Sequence, residues 1–111
     1  MRDFWSPGEK KVARAVFEAA LTRECAAIRR EVEAILKRSS DSAAIWRAHD
    51  FLSKKRREVD QKYDFRYSVL PSVLGRLLAE GWVREAELAK LKPEKIELIK
   101  RSASAWREVD A

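Results

Sequence analysis

The chain has 111 residues, 38% of them charged and 46% hydrophobic, with three glycines, three prolines and a net charge of +6. So few breakers among so much alanine, leucine, glutamate, lysine and arginine exclude a β-rich fold and point to an all-α one. No apolar run approaches the roughly 20 residues of a membrane span, which excludes an integral membrane protein built on helices.

Residues 1–111 are expected to form a single helical domain. A chain this short buries only about two thirds of its unfolded surface, so a second copy would add to its stability. The opening residues, MRDFWSPGEKK, lack the apolar core of a signal peptide. The single cysteine, Cys25, has no partner for an internal disulfide, which suits a reducing compartment. A cytoplasmic protein is expected.

Ser6-Pro7-Gly8-Glu9 is a helix start: Ser6 can accept from the N3 amide, Glu9 can reach back, and Pro7 sits where no N–H is missed. Phe17, Leu21, Cys25, Ile28, Val32 and Ile35 then recur at three and four residues, a near-heptad seam with no breaker before Ser39. A helix of about 30 residues is roughly 45 Å long, against a radius of gyration of ~13 Å for a compact domain of this size. It therefore needs another helix beside it. Ser39, Ser40, Asp41 and Ser42 supply the stop and the next cap, so residues 7–66 are read as a long antiparallel hairpin.

The second helix carries Ile45, Ala48, Leu52, Val59 and Tyr63 on one apolar stripe, expected to pack on the first helix. It ends within YDFRYS, residues 63–68, where three aromatics alternate with charges. Pro71 falls in the first turn of a third helix starting near Ser68, with Leu70, Val73, Leu74, Leu77 and Leu78 on its apolar face and Gly81 as its stop. A short helix over residues 84–91 and a last one from Pro93, with core positions Ile96, Ile99, Ala103 and Trp106, complete a compact head over residues 67–106.

The basic excess lies in the first two helices: residues 1–66 hold 16 Lys and Arg against 11 Asp and Glu, residues 67–111 hold 8 against 7. Within KKRR at residues 54–57, Asp50, Glu58 and Asp60 stand near enough along a helix to pair with parts of the run. LLAEGWVREAELAKL has the outline of a helix-turn-helix reader, but Glu80, Glu85 and Glu87 would face a phosphate wall, which argues against nucleic acid. Catalysis has little support. The only histidine, His49, has no serine, cysteine or second carboxylate at the spacing of a nucleophile or metal site, so no metal or cofactor is expected.

Beside the apolar stripe of the second helix, Trp46, His49, Asp50, Ser53, Arg56, Arg57 and Asp60 project onto a sector roughly 120° wide. Tryptophan and arginine are the side chains that most often dominate a protein interface, so this face reads as a partner-binding one. The competing reading is that Asp50 and Arg56 form ion pairs holding a dimer together.

The run HDFLSKKRREVDQKYD, preceded by Trp46 and followed by LLAEG at residues 77–81, resembles the fluorescence recovery proteins of cyanobacteria, without gaps from about Ile45 to Leu91. The resemblance implies a small, all-helical homodimer without enzymatic activity. It implies binding to the light-activated orange carotenoid protein, or a related carotenoid-binding protein, whose return to the resting form is accelerated so that phycobilisome quenching ends. It also implies that Trp46, His49, Asp50 and Arg56 match the family's functional patch. Ser72 and Leu74 stand where bulky aromatics are expected from the family. The alternative is a nucleic-acid-binding or generic dimeric helical protein whose partner has diverged.

Overall fold

A computed structural model describes residues 4–110; residues 1–3 and 111 of the expected 1–111 unit lie outside the described residues. The fold is all-helical: α1 (Pro7–Arg38), α2 (Ser42–Lys62), α3 (Leu70–Ala79), a 3-10 turn (Glu85–Leu88) and α4 (Pro93–Asp110). The first two helices form the long antiparallel hairpin and the remainder the head. The molecule measures 58 × 30 × 23 Å with a radius of gyration of 16.7 Å, well above the ~13 Å of a compact domain of this length. The hairpin tip accounts for the excess by projecting beyond the core.

Local chemistry sets the helix ends as expected. Ser6 Oγ accepts from the Glu9 amide and Glu9 Oε1 accepts from the Ser6 amide, both at 3.2 Å, closing the capping box of α1. Asp41 Oδ1 accepts from the Ala44 amide at 3.1 Å and caps α2. At the end of α3 the Gly81 amide donates to Leu78 O and the Trp82 amide to Leu77 O, while Gly81 takes φ +87°. That left-handed turn is open to glycine at little steric cost.

The core is not spread along the hairpin. The buried residues of α1 are Glu9, Ala13, Val16, Phe17, Ala20 and Glu24, of which only Glu24 lies past the helix midpoint. Ala13, Val16, Phe17 and Ala20 join Trp5, Leu70, Leu74, Leu77, Val83, Leu88, Leu91 and Ile99 in one cluster. The first half of α1 therefore belongs to the head's core, and beyond Arg23 and Glu24, which bond to the head and to Lys62, its second half serves the hairpin. The expected seam is correspondingly thin beyond Phe17: Leu21, Ile28, Val32 and Ile35 are half-buried and Cys25 is exposed.

Residues 63–69 are a break, not a kink. Tyr63 caps α2 at φ −90°, ψ 75°, and the aromatics that follow turn back onto α1. Phe17 meets Tyr63 and Phe65 edge-on with centroids 5.3 and 4.9 Å away, and the Trp5 indole N–H donates to Tyr67 O at 3.3 Å. Residues 84–91 hold only the 3-10 turn, and α4 runs longer than the expected end at 106. Within α3 and α4, Gly75 permits close approach, since a Cβ there would collide with the Ser102 side chain and lie 2.9 Å from Ile99 O.

The expected packing stripe of α2 is corrected. Ile45 is 59% exposed and Leu52 43%, while Ala44, Ala48 and Lys62 are buried. The inner face is centred on Ala44, Ala48, Lys55 and Lys62, rotated roughly 60° from the stripe read from apolar spacing. The small alanines admit α1, and Lys62 must turn inward to reach its partners.

Those partners close the junction between hairpin and head. Lys62 Nζ donates to Glu24 Oε2 at 2.7 Å and Glu80 Oε1 at 2.6 Å, and the Tyr63 hydroxyl donates to Glu24 Oε1 at 2.8 Å. Glu80 also accepts from Arg76 Nε at 3.0 Å and from the Trp82 indole at 3.2 Å. Burial pushes the Glu80 carboxyl up, but Lys62 and Arg76 more than offset this and hold it below the usual range. Burial and the neighbouring Glu24 carboxylate push the Tyr63 phenol far up.

A second buried pair ties the chain's two ends. Lys95, 1% exposed, donates to Glu9 Oε1 at 2.9 Å and lies 4.3 Å from the centre of the Phe4 ring. Burial would raise the Glu9 carboxyl, yet the Lys92 amide, Lys95 and the Ser6 amide hold it at about 2. Arg23 of α1 clamps Glu87 with two hydrogen bonds of 2.7 and 3.0 Å, and Lys100 pairs with Glu85 at 2.9 Å. The acids that weighed against a DNA-reading head are thus its internal fasteners.

Removing Lys62 would leave the Glu24 carboxylate buried and facing only the Tyr63 hydroxyl. Breaking a buried pair in this way costs about 3–5 kcal/mol, so Lys62→Ala should lower the unfolding free energy by that amount in urea titration. A loss below about 1 kcal/mol, the size seen for exposed pairs, would contradict the role assigned to the junction.

Candidate functional site

The candidate face is built on α2, whose start is held by the Asp41 cap. The Ser39 hydroxyl and the Ala44 amide hold the Asp41 carboxyl below the usual range. From that fixed start the helical period places Ala44, Ala48, Lys55 and Lys62 against α1, and everything about 100–180° away must face outward. Trp46, His49, Asp50 and Arg56 all do.

Trp46 is 64% exposed and meets His49 edge-on, with ring centroids 6.2 Å apart. His49 Nδ1 lies 3.4 Å from Asp50 Oδ1, both side chains open to solvent. These three residues make one contiguous patch within the first half of the helix. Arg56 stands apart from it: six residues from Asp50 at 1.5 Å each is roughly 9 Å along the axis. Its guanidinium, 80% exposed, pairs through Nε with Asp60 Oδ2 at 3.1 Å and not with Asp50. The expected convergence is therefore a strip along the helix.

Two residues of the expected packing stripe belong beside this strip. Ile45 and Leu52 are exposed, and an open groove of about 270 Å³ runs between the helices, lined by Cys25, Ile28, Leu52, Lys55, Arg56 and Val59. The signal that could have found them is Ala44-x-x-x-Ala48, two small residues four apart that mark a close helix contact better than the larger Ile45. The strip thus combines an apolar flank with tryptophan, arginine and a carboxylate. A protein surface can be recognised by such a mixture through burial and directed hydrogen bonds together. Among the described residues no cluster of three His, Cys, Asp or Glu could hold a metal ion.

The family model described as "Photoprotection regulator fluorescence recovery protein" matches residues 5–103. The chain belongs to the fluorescence recovery protein family. It is 40% identical over 99 residues to the fluorescence recovery protein of Synechocystis sp. PCC 6803, covering 89% of this chain and 91% of that one. The solved structure of the Synechocystis protein is similar with a TM-score of 0.83 at 40% identity, and that of the Fremyella diplosiphon protein with 0.82 at 40%. Each match covers 90% of this chain and 98% of the other. The family is one of photoprotection regulators and not a known enzyme family, and its helical fold is the one described above.

Within this fluorescence recovery protein fold, Leu74 fills a fully buried place in the core of the head. Ser72 is exposed, and its carbonyl accepts from the Ser102 hydroxyl at 3.4 Å. Both positions thus fit the head with side chains smaller than the aromatics expected there.

Because the strip makes few contacts within the chain, Trp46→Ala and Arg56→Ala should leave helicity unchanged. Each should alter unfolding free energy by no more than about 0.5 kcal/mol, the range of exposed substitutions and of i,i+4 surface pairs. A loss of several kcal/mol in chemical denaturation would mean that these side chains serve the fold of the chain.

Proposed function

We propose that this chain is a non-catalytic regulator that binds the photoactivated orange carotenoid protein, or a related carotenoid-binding protein. By doing so it accelerates return to the resting state and ends phycobilisome fluorescence quenching. The observation that carries this reading is the exposed strip Trp46–His49–Asp50–Arg56, whose residues the fold of the chain does not consume, on a member of the fluorescence recovery protein family. Trp46 is the apolar anchor, Asp50 and Arg56 make charged hydrogen bonds, and His49 adds a polar contact. No reactive group is required, because a ligand moves a conformational equilibrium by its differential affinity for the two states. Acceleration follows when the contacts also stabilise the barrier between them.

The working unit is read as a homodimer. The hairpin leaves Ile45, Leu52 and Leu36 exposed, and a self-complementary pair of such faces related by a two-fold axis is the commonest way to cover them. Residues 7–66 and 67–106 are read as one domain, the hairpin presenting the strip and the head anchoring it through the first half of α1. No helix among the described residues is long and apolar enough to cross a membrane, which accords with action in the cytoplasm.

Two measurements test this reading. The first is dark recovery of a photoactivated orange carotenoid protein with and without the purified chain. The parent should accelerate recovery, and Asp50→Ala or Arg56→Ala should cut the acceleration at least tenfold, since losing one member of a desolvated charged contact costs about 2–5 kcal/mol. Folded mutants that act like the parent would assign the strip to another task. The second is mass in solution by light scattering at micromolar concentration, expected at twice 12.9 kDa; a value near 12.9 kDa would refute the dimer.

A further inference from the structure

The sequence places Asp60 on the same outward sector as Arg56, four residues on, and the function described above leaves it without a role. The geometry points to Asp60 as a positioning residue for the partner-binding face: it holds the Arg56 guanidinium by its Nε edge, so that the two Nη groups face outward as a fork for a carboxylate of the partner. This inference rests on Arg56 being a partner contact.

A guanidinium carries five N–H donors in one plane, one on Nε and two on each Nη. Arg56 Nε donates to Asp60 Oδ2 at 3.1 Å, and nothing else among the described residues hydrogen bonds to Arg56. The Nε edge, with the one Nη hydrogen that lies along it, therefore faces Asp60, and the other three Nη hydrogens point away from it. A carboxylate can then approach end-on, bridging Nη1 and Nη2, which is one of the paired geometries arginine offers to carboxylates. A side approach across Nε and Nη is closed.

Asp60 acts on a side chain that would otherwise move freely. Arg56 and Asp60 side chains are 80% and 58% exposed, and the neighbouring Lys55 is drawn the other way, to Glu58 at 3.1 Å. Arginine loses much rotamer freedom when it docks, and ordering a side chain of this kind before binding raises affinity by about 2- to 10-fold. The pair also carries no net charge. Long-range attraction of an acidic partner is thereby left to Lys54 and Arg57 on the same exposed run, and Arg56 supplies direction.

This produces an effect of unexpected sign. If Asp60 acted only as a charge, deleting it would strengthen binding to an acidic surface. As a positioning residue, its deletion weakens binding. The test measures affinity of the full chain for the photoactivated orange carotenoid protein at physiological ionic strength, with helicity checked for every variant. Arg56→Ala is expected to weaken binding at least tenfold and Asp60→Ala by about 2- to 10-fold. Asp60→Asn, which keeps an oxygen acceptor for Nε, should return affinity to within a factor of about two of the parent. In the double mutant Arg56→Ala/Asp60→Ala, the loss should be no greater than for Arg56→Ala alone. Unchanged or tighter binding by Asp60→Ala, or additive losses in the double mutant, overturns the positioning role while Arg56 keeps its own. An Arg56→Ala variant that binds like the parent overturns the reading of the face itself, and the role of Asp60 with it.

Discussion

Lys62 is where the two halves of the molecule meet. It is the last residue of α2, its ammonium is buried, and it is shared by Glu24 of α1 and Glu80 beyond α3. An isolated buried ammonium is costly, and partner carboxylates at hydrogen-bonding distance are what make it tolerable. The cluster therefore restricts geometry more than it adds strength: α2 can end only where both carboxylates can be reached. That requirement turns the inner face of α2 away from Ile45 and Leu52 and so leaves them outside. The composition of the candidate strip follows in part from an ion pair at the other end of the helix.

The core has a matching asymmetry. Apolar burial is concentrated between the first half of α1 and the head, where Phe17 receives Tyr63 and Phe65 and the leucines of α3 meet α4. The outer hairpin is held by alanines, half-buried aliphatics and surface pairs. Among the described residues nothing covers the exposed flank of Ile45 and Leu52, and the same flank carries Trp46 and Arg56. Self-association and partner binding would draw on adjoining surface.

Much of this was legible in local sequence. The caps at Ser6 and Asp41, the stop at Gly81 and the start at Pro93 each depend on residues within one turn, and short-range hydrogen bonds are what residue identity specifies best. The outward sector bearing Trp46, His49, Asp50 and Arg56 was legible for the same reason, since helical period alone assigns it. The rotation of α2 was not. It depends on Glu24 and Glu80, distant in sequence from Lys62, and apolar spacing carries no trace of a lysine that faces inward. Lys95 is hidden likewise: its carboxylate, Glu9, lies far away in the chain and reads as a cap, a role it keeps while serving Lys95 as well. The 3-10 turn at Glu85–Leu88 escaped because a four-residue segment has too little periodicity to tell it from an α-helical turn.

The unbroken course of α1 has an evolutionary consequence. One helix of 32 residues passes from the core of the head to the tip of the hairpin, so the two are keyed to each other like teeth on a single shaft. A residue inserted just after Glu24 would turn everything beyond it by about 100° and advance it by about 1.5 Å. The groove-lining Cys25 and Ile28 would leave α2 while Glu24 stayed with Lys62. Changes of length in lineages that retain this architecture should therefore collect at the tip, around residues 39–41, where the turn is exposed and the helices can grow or shrink together. Within the shaft only a matched gain, close to seven residues on each arm, would restore the original facing.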